Sequence, residues 1–141
     1  MGKWDARYLE LARHVSGWSR DPGTKVGAVI ARPDKSVASL GFNGLPRGVI
    51  DSPGRLHCRQ TKLAMTLHAE ENAVLSAHER LEGCTLYVWP MPPCSHCAAV
   101  VIQAGITRAV APEPGDRWRE SCELGRSMML EAGLEVEWVA D

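Results

Sequence analysis

The sequence predicts an α/β fold of three layers, in which a mixed five-stranded sheet has helices on both faces. Runs of β-branched and apolar residues alternate along the chain with segments of helical periodicity, which is typical of helices layered on a sheet. The first two runs are separated only by the turn Pro33-Asp34-Lys35, so this pair is expected to be antiparallel. The remaining strands can be parallel through helical crossovers.

The first half of the chain provides one helix, two strands and a loop. The helix is predicted from apolar residues at helical spacing, namely Trp4, Tyr8, Leu11, Ala12, Val15 and Trp18. Asp21-Pro22-Gly23 ends it. Residues 25–31 and 36–40 are predicted to be strands, since they are rich in apolar and β-branched residues. Residues 41–48 contain three glycines and are predicted to form a loop that lets backbone approach a ligand, continuing through Pro53-Gly54.

The second half is predicted to alternate helices and strands. Helices are expected over residues 65–80, 94–104 and 118–132, and Gly105 ends the second of these. The last helix should bury Leu124, Met128 and Ala132 on one face. Strands are expected over residues 85–89, 107–111 and 134–139. All of these elements suit one domain over residues 1–141.

Composition excludes several classes of protein. The formal net charge of −1 argues against a large nucleic-acid interface, which normally needs a basic excess. No apolar run approaches the roughly 20 residues that span a bilayer, and the N-terminus lacks the apolar stretch of a signal peptide. A cytoplasmic location is therefore expected. Five cysteines are an odd number, which disfavours a pure disulfide framework.

Two short motifs bring metal-ligating residues to the beginnings of two predicted helices. The first is His68-Ala69-Glu70 and the second is Pro93-Cys94-Ser95-His96-Cys97. Cys94 and Cys97 are three residues apart and share a helix face, so both can bind one ion together with His68. Three protein ligands leave a zinc ion one open position for water, which is the catalytic rather than the structural arrangement. A structural site would need a fourth ligand, and the nearest candidate, His96, lies off that face.

Glu70 follows the histidine ligand by two residues and is not needed as a ligand. Zinc lowers the pKa of a bound water to about 7, and Glu70 is the candidate catalytic acid and base that transfers its proton. The pattern H-x-E with a later P-C-x-x-C is the signature of zinc nucleobase deaminases. A redox pair of Cys94 and Cys97 is the alternative interpretation, and it requires no metal.

The order of motifs resembles that of the deoxycytidylate (dCMP) deaminase family, within the cytidine-deaminase-like superfamily. Besides the two metal motifs, the resemblance rests on residues 21–30, on Gly41-Phe42-Asn43-Gly44, on Thr85-Leu86-Tyr87-Val88 and on residues 102–106. It implies a single zinc-dependent deaminase domain with one zinc ion per subunit. It further implies hydrolysis of dCMP to dUMP and ammonia, which would supply thymidylate synthesis.

The resemblance also implies partners and contacts. It predicts a homo-oligomer, often a hexamer, that binds a nucleotide substrate and the effectors dCTP and dTTP, but no nucleic-acid polymer or membrane. Asn43 is implied as a contact to a sugar hydroxyl, and Gly41, Phe42 and Gly44 as effector contacts. The family usually has tyrosine at position 42, so Phe42 predicts weak or absent dCTP activation.

Other substrate contacts are expected around the motifs. Lys25 is the candidate for the 5′-phosphate, and Ala69 is a candidate contact within the metal motif. Trp118 follows the fourth strand and could stack on a base or on a neighbouring subunit, or pack in the core. The arginines of the glycine- and proline-rich region are weaker candidates for nucleotide contacts, namely Arg47, Arg55 and Arg59.

Two further functions compete with dCMP deamination. Another deaminase of the superfamily could act on dCTP, on a modified cytosine nucleotide or on tRNA adenosine, although an RNA substrate would call for a basic face. A non-catalytic nucleotide-sensing protein could keep zinc as a structural element, but such a site has no use for Glu70.

Overall fold

The computed structural model describes residues 1–140, which form six helices and five strands. The helices are α1 (Lys3–Ser16), α2 (Pro53–Leu56), α3 (Arg59–Met65), α4 (Ala69–Ser76), α5 (Ser95–Gln103) and α6 (Asp116–Glu131). The strands are β1 (Gly27–Ala31), β2 (Val37–Phe42), β3 (Thr85–Trp89), β4 (Arg108–Pro112) and β5 (Glu135–Val139).

The five strands form one mixed sheet in the order β2-β1-β3-β4-β5. The β1–β2 pair is antiparallel, as the short turn predicted. The β1–β3 pair is also antiparallel, and only β3, β4 and β5 run parallel. The expectation that the remaining strands can be parallel is therefore confirmed for β3, β4 and β5, whereas the antiparallel pairing of β1 with β3 was not predicted. Strand β1 lies between β2 and β3, and the connection through α4 carries the chain across it.

Alternate residues of the sheet face two separate hydrophobic cores, as the period of two in a strand requires. Val29, Tyr87 and Val110 pack with α1 on one face. The other face carries Ile30, Leu86 and Val88 among others and packs against α4, α5 and α6. The prediction of a three-layer α/β fold with helices on both faces is thus confirmed.

Two helical faces differ from their predictions. Trp4 and Trp18 were expected on the buried face of α1 but are 37% and 51% exposed, because Tyr8, Leu9 and Ala12 fill the space against the sheet. Leu124 of α6 is 57% exposed, since the face that packs inward is instead formed by Cys122, Gly125 and Met129.

The predicted helix over residues 65–80 is divided in the structure. Helix α3 ends at Met65 and α4 begins at Ala69. Between them Leu67 makes a backbone bridge to Gly44, with N···O distances of 2.8 and 3.1 Å. Helices α2 and α3 lie in the region that was predicted to be a loop and, in part, the beginning of that helix.

Gly41 and Phe42 belong to strand β2 and not to the predicted glycine-rich loop. A Cβ atom at Gly41 would lie 2.4 Å from the carbonyl oxygen of Ala69 and 2.4 Å from the backbone nitrogen of Ala73. Glycine is therefore required for α4 to pack closely on the sheet. Within residues 1–140, no helix is long and apolar enough to cross a membrane.

Candidate active site

The three predicted metal ligands meet where α4 and α5 begin. His68 is the N-terminal cap of α4 and Cys94 that of α5, while Cys97 lies in the first turn of α5. The Nδ1 atom of His68 is 3.1 Å from Sγ of Cys97 and 3.6 Å from Sγ of Cys94. In a tetrahedral zinc site, Zn–N and Zn–S bonds of about 2.0 and 2.3 Å place such atoms about 3.5 Å apart. The cluster therefore fits a zinc ion with three protein ligands.

Neighbouring elements hold the ligands in place. The backbone N–H of Cys97 donates to Sγ of Cys94 at 3.5 Å, and the positive end of α5 favours a thiolate there. The side chain of Glu71 accepts a hydrogen bond from the backbone N–H of His68 at 2.9 Å, which fixes the residue that begins α4. On the other side, a Cβ at Gly125 would lie 2.9 Å from the carbonyl oxygen of Pro93, so α6 packs directly on the cysteine turn.

Hydrogen bonds within the cluster shift the pKa values of the three ligands in different directions. The hydrogen bond with Cys97 lowers the pKa of Cys94 to about 3. The hydrogen bond with Cys94 raises the pKa of His68 to about 9. A hydrogen bond with Cys94 and burial raise the pKa of Cys97. Because zinc binds thiolates and a neutral imidazole, its binding is expected to release protons from this cluster.

Glu70 lies beside the ligands and is only 4% exposed. Burial raises the pKa of its carboxyl group to about 7. A carboxyl group with that pKa can accept and donate a proton at neutral pH, as general acid–base catalysis requires. It lines the same cavity as His68 and Cys94.

This cavity has a volume of about 270 Å³ and an apolar interior with a few polar groups. Five of the predicted substrate and catalytic residues line it, namely Asn43, Arg59, Ala69, Glu70 and Trp118. Trp118 is half-buried, and the guanidinium group of Arg117 lies 4.7 Å from its ring centroid. Such a cavity is the usual form of a small-molecule site.

Asn43 is oriented by three hydrogen bonds. Its Oδ1 accepts from the N–H of Val26 at 2.9 Å, and its Nδ2 donates to the carbonyl of Thr24 at 2.9 Å and to Asp21 at 3.5 Å. Both amide hydrogens are therefore in use, but an amide oxygen has a second lone pair. Asn43 can accept a hydrogen bond from a ligand hydroxyl, which is what a sugar contact requires.

Six predicted contacts lie away from the cavity lining, namely Lys25, Gly41, Phe42, Gly44, Arg47 and Arg55. The ammonium group of Lys25 donates to the carbonyl of Ser19 at 2.6 Å, and the residue is exposed. Phe42 is 38% exposed, and its ring meets that of Trp18 edge-on at 6.2 Å. Gly41 packs against α4, and Gly44 pairs with Leu67.

Sequence reasoning missed several residues of the cavity. Lys62 and Thr66 reach it from α3, and Asp21 reaches it from the loop before β1. Ser121 and Cys122 line it from α6, one turn after Trp118. The available signal is spacing: Lys62 and Thr66 follow the candidate Arg59 at helical intervals, but the sequence predicts a helix only from residue 65 onward.

Comparison with known proteins identifies the family. Over residues 2–112 the sequence matches the family described as the cytidine and deoxycytidylate deaminase zinc-binding region. The chain belongs to this family. The resemblance inferred from the motifs is thereby confirmed, and the matched zinc-binding region contains the His68, Cys94 and Cys97 cluster, whose ligand atoms are positioned to bind a metal ion.

Members of this family resemble the chain over nearly its full length. An Aliivibrio fischeri protein named "Uncharacterized deaminase in luxG 3'region" is 43% identical over 143 residues, which cover 99% of this chain and 95% of that protein. Human deoxycytidylate deaminase is 31% identical over 134 residues, covering 91% of this chain and 74% of the human protein. The crystal structure of dCMP deaminase from the cyanophage S-TIM5, in apo form, aligns over 99% of both chains with a TM-score of 0.75 and 25% identity.

Proposed function

We propose that the protein catalyses the hydrolytic deamination of dCMP to dUMP and ammonia. The observation that carries the proposal is the position of Glu70, a buried carboxyl group that lines a small-molecule cavity together with two zinc ligands. The similarity to human deoxycytidylate deaminase supports dCMP as the substrate. The dUMP formed would serve thymidylate synthesis.

In this proposal each group of the chain has a defined task. His68, Cys94 and Cys97 would hold a zinc ion, which when bound would supply an activated water by lowering the pKa of that water. Glu70 takes a proton from the attacking water and delivers it to the ring nitrogen of cytosine; it then takes the proton of the new hydroxyl group on the attacked carbon and delivers it to the leaving amine. The C–O bond to water forms at the carbon from which the C–N bond breaks, so one water is consumed and one ammonia is released. Asn43 accepts a hydrogen bond from the sugar, and Ala69 and Trp118 contact the base.

An ammonia-release screen over cytosine, adenine and guanine nucleosides and nucleotides tests the substrate. We expect the highest kcat/KM with dCMP, because the cavity combines a deaminase centre with cationic residues. A higher kcat/KM with dCTP, with a 5-substituted cytosine nucleotide or with an adenosine-containing tRNA would contradict the proposal. If zinc-loaded protein releases no ammonia from any compound, a nucleotide-sensing role replaces catalysis.

The assembly and location follow from the same proposal. We infer one deaminase domain over residues 1–141, assembled as a homo-oligomer and by family resemblance as a hexamer. Light scattering of the purified protein measures the subunit count, and a monomeric mass would contradict this assembly. A cytoplasmic location is tested by cell fractionation, and recovery of the protein in a membrane or secreted fraction would refute it.

Regulation by dCTP, opposed by dTTP, is expected to be weak, with Phe42 as the reason. A tyrosine hydroxyl that binds an effector through a buried polar partner is worth about 1–3 kcal/mol, or about five- to a hundredfold in affinity. We expect Phe42→Tyr to strengthen dCTP activation by a factor in this range. The measurement is a series of dCMP saturation curves with increasing dCTP for both proteins. Strong activation of the native protein at micromolar dCTP, unchanged by the substitution, would show that the Phe42 ring only packs on Trp18.

A further inference from the structure

One wall of the cavity is formed by a segment whose two helices bury no side chain. Residues 45–66, here called the α2–α3 arm, leave the body of the domain after Gly44 and return at Leu67, where the two residues are bridged. Neither α2 nor α3 contains a buried residue. The position of the arm therefore depends on polar contacts with the body rather than on hydrophobic burial.

The main contact of this kind is an ion pair that lies at the cavity. Nζ of Lys62 is 2.8 Å from Oδ1 of Asp21, and the two side chains are only 15% and 8% exposed. The same oxygen accepts a hydrogen bond from the N–H of Gly23 at 2.7 Å. A Cβ at Gly23 would lie 3.1 Å from Nζ of Lys62, so the ammonium group rests directly on this turn. Its position is fixed, and only one of its three N–H donors is used by Asp21.

The charged residues of the cavity are unevenly distributed. Two carboxylates line it: Glu70 lies at the metal end, and Asp21 is already paired with Lys62. Arg59 and Arg117 line the cavity and are exposed, which places them at its opening. Within residues 1–140 no carboxylate lies within ion-pair distance of either guanidinium group. The opening therefore carries excess positive charge, contributed by Arg59 of the arm and Arg117 of α6.

Arg59 and Lys62 are three residues apart on α3, so they lie on one face of that helix. Both line the cavity, whereas Lys25 does not and is bonded to the carbonyl of Ser19. We propose that Arg59 and Lys62 of the α2–α3 arm form the subsite for the 5′-phosphate of the substrate, and that the Asp21 carboxylate positions Lys62 for it. This inference rests on the proposed function, because it assigns the phosphate of the same nucleotide.

The test compares dCMP with deoxycytidine, which lacks the phosphate. A charge-assisted contact is worth a factor of about ten to a hundred, so Arg59→Met and Lys62→Met should each lower the ratio of kcat/KM for dCMP to that for deoxycytidine by about this factor. Lys3→Met, an exposed lysine outside the cavity, is the matched control and should leave the ratio unchanged. If Lys62→Met misfolds, Arg59→Met becomes the decisive variant. Lys62→Met leaves the Asp21 carboxylate unpaired, whereas removal of the Arg59 guanidinium group leaves no carboxylate among residues 1–140 without its partner.

Two outcomes of the kinetic test would overturn the assignment. Equal losses on both substrates would show that the arm residues only support the fold. A fall of the ratio in Lys25→Ala, but in neither arm variant, would place the phosphate at Lys25.

Equilibrium binding separates failure of this inference from failure of the proposed function. Calorimetry with dUMP and deoxyuridine needs no turnover. If wild-type protein deaminates neither dCMP nor deoxycytidine, a loss of dUMP preference of about ten- to a hundredfold in Arg59→Met would still support the phosphate subsite. An unchanged preference would reject it.

Discussion

Replacing Glu70 with glutamine is expected to lower kcat for nucleotide deamination by about 10²–10⁴-fold or more, while the zinc content stays at the wild-type level. Glu70 is buried beside the ligands without being needed as one, and burial raises its pKa to about 7. Glutamine keeps the volume of the side chain but cannot accept a proton from water or deliver one to the leaving amine. The measurement combines ammonia release under saturating dCMP with elemental analysis of the same preparation.

Glu120→Gln is the control for this substitution. Glu120 lies on α6, is exposed and does not line the cavity, so the same chemical change there should leave kcat unaltered. Near-wild-type turnover by a zinc-loaded Glu70→Gln protein would show that another group carries the proton. Loss of zinc from this variant would instead mean that Glu70 supports the metal site.

The sheet could be predicted from the sequence except for one pairing. Strand β3 has the predicted bounds, because Thr85–Trp89 is a short apolar run followed by a proline-rich break. Strand direction was inferred from connection length, which identifies hairpins but not which strands become neighbours across the sheet. The antiparallel β1–β3 pair depends on how α4 carries the chain across β1, and no local pattern near either strand records that.

The helices of the arm escaped prediction for a physical reason. Hydrophobic periodicity indicates a helix only where one face is buried, and neither α2 nor α3 has a buried residue. The glycines and prolines of residues 41–54 were typical of a loop. Gly41, however, lies in a strand, where a glycine is needed because the backbone of Ala73 packs too closely for a side chain.

Within the site, the metal ligands could be predicted from the sequence, whereas the role of Lys62 could not. The metal ligands lie in two contiguous motifs whose residue types and spacing carry the chemistry, so His68, Cys94 and Cys97 could be recognised directly. Lys62 depends on Asp21, a residue 41 positions earlier in the chain, and on a helix that the sequence did not reveal. Lys25 is a candidate from the sequence that lies just before β1, and in the structure its ammonium group donates to the carbonyl of Ser19.

Replacing Cys97 with alanine is expected to remove zinc from the protein and to destabilise the fold. Cys97 is completely buried and shares the ligand cluster with His68 and Cys94, which belong to different helices. A ligand that binds only the folded state stabilises it by about 4 kcal/mol when its concentration is 1,000 times its Kd. The free energy of unfolding in such an excess of zinc should fall by about this amount in Cys97→Ala.

Cys84→Ala separates metal loss from the loss of a buried sulfur atom. Cys84 is 2% exposed and lies outside the ligand cluster, so this control should keep one zinc ion per chain and lose only packing. A chelator should lower the unfolding midpoint of wild-type protein and of Cys84→Ala, but it should leave that of Cys97→Ala unchanged, since no zinc remains to be removed. Stoichiometric zinc in Cys97→Ala, or its absence from wild-type protein, would contradict the metal site on which the proposed deamination depends.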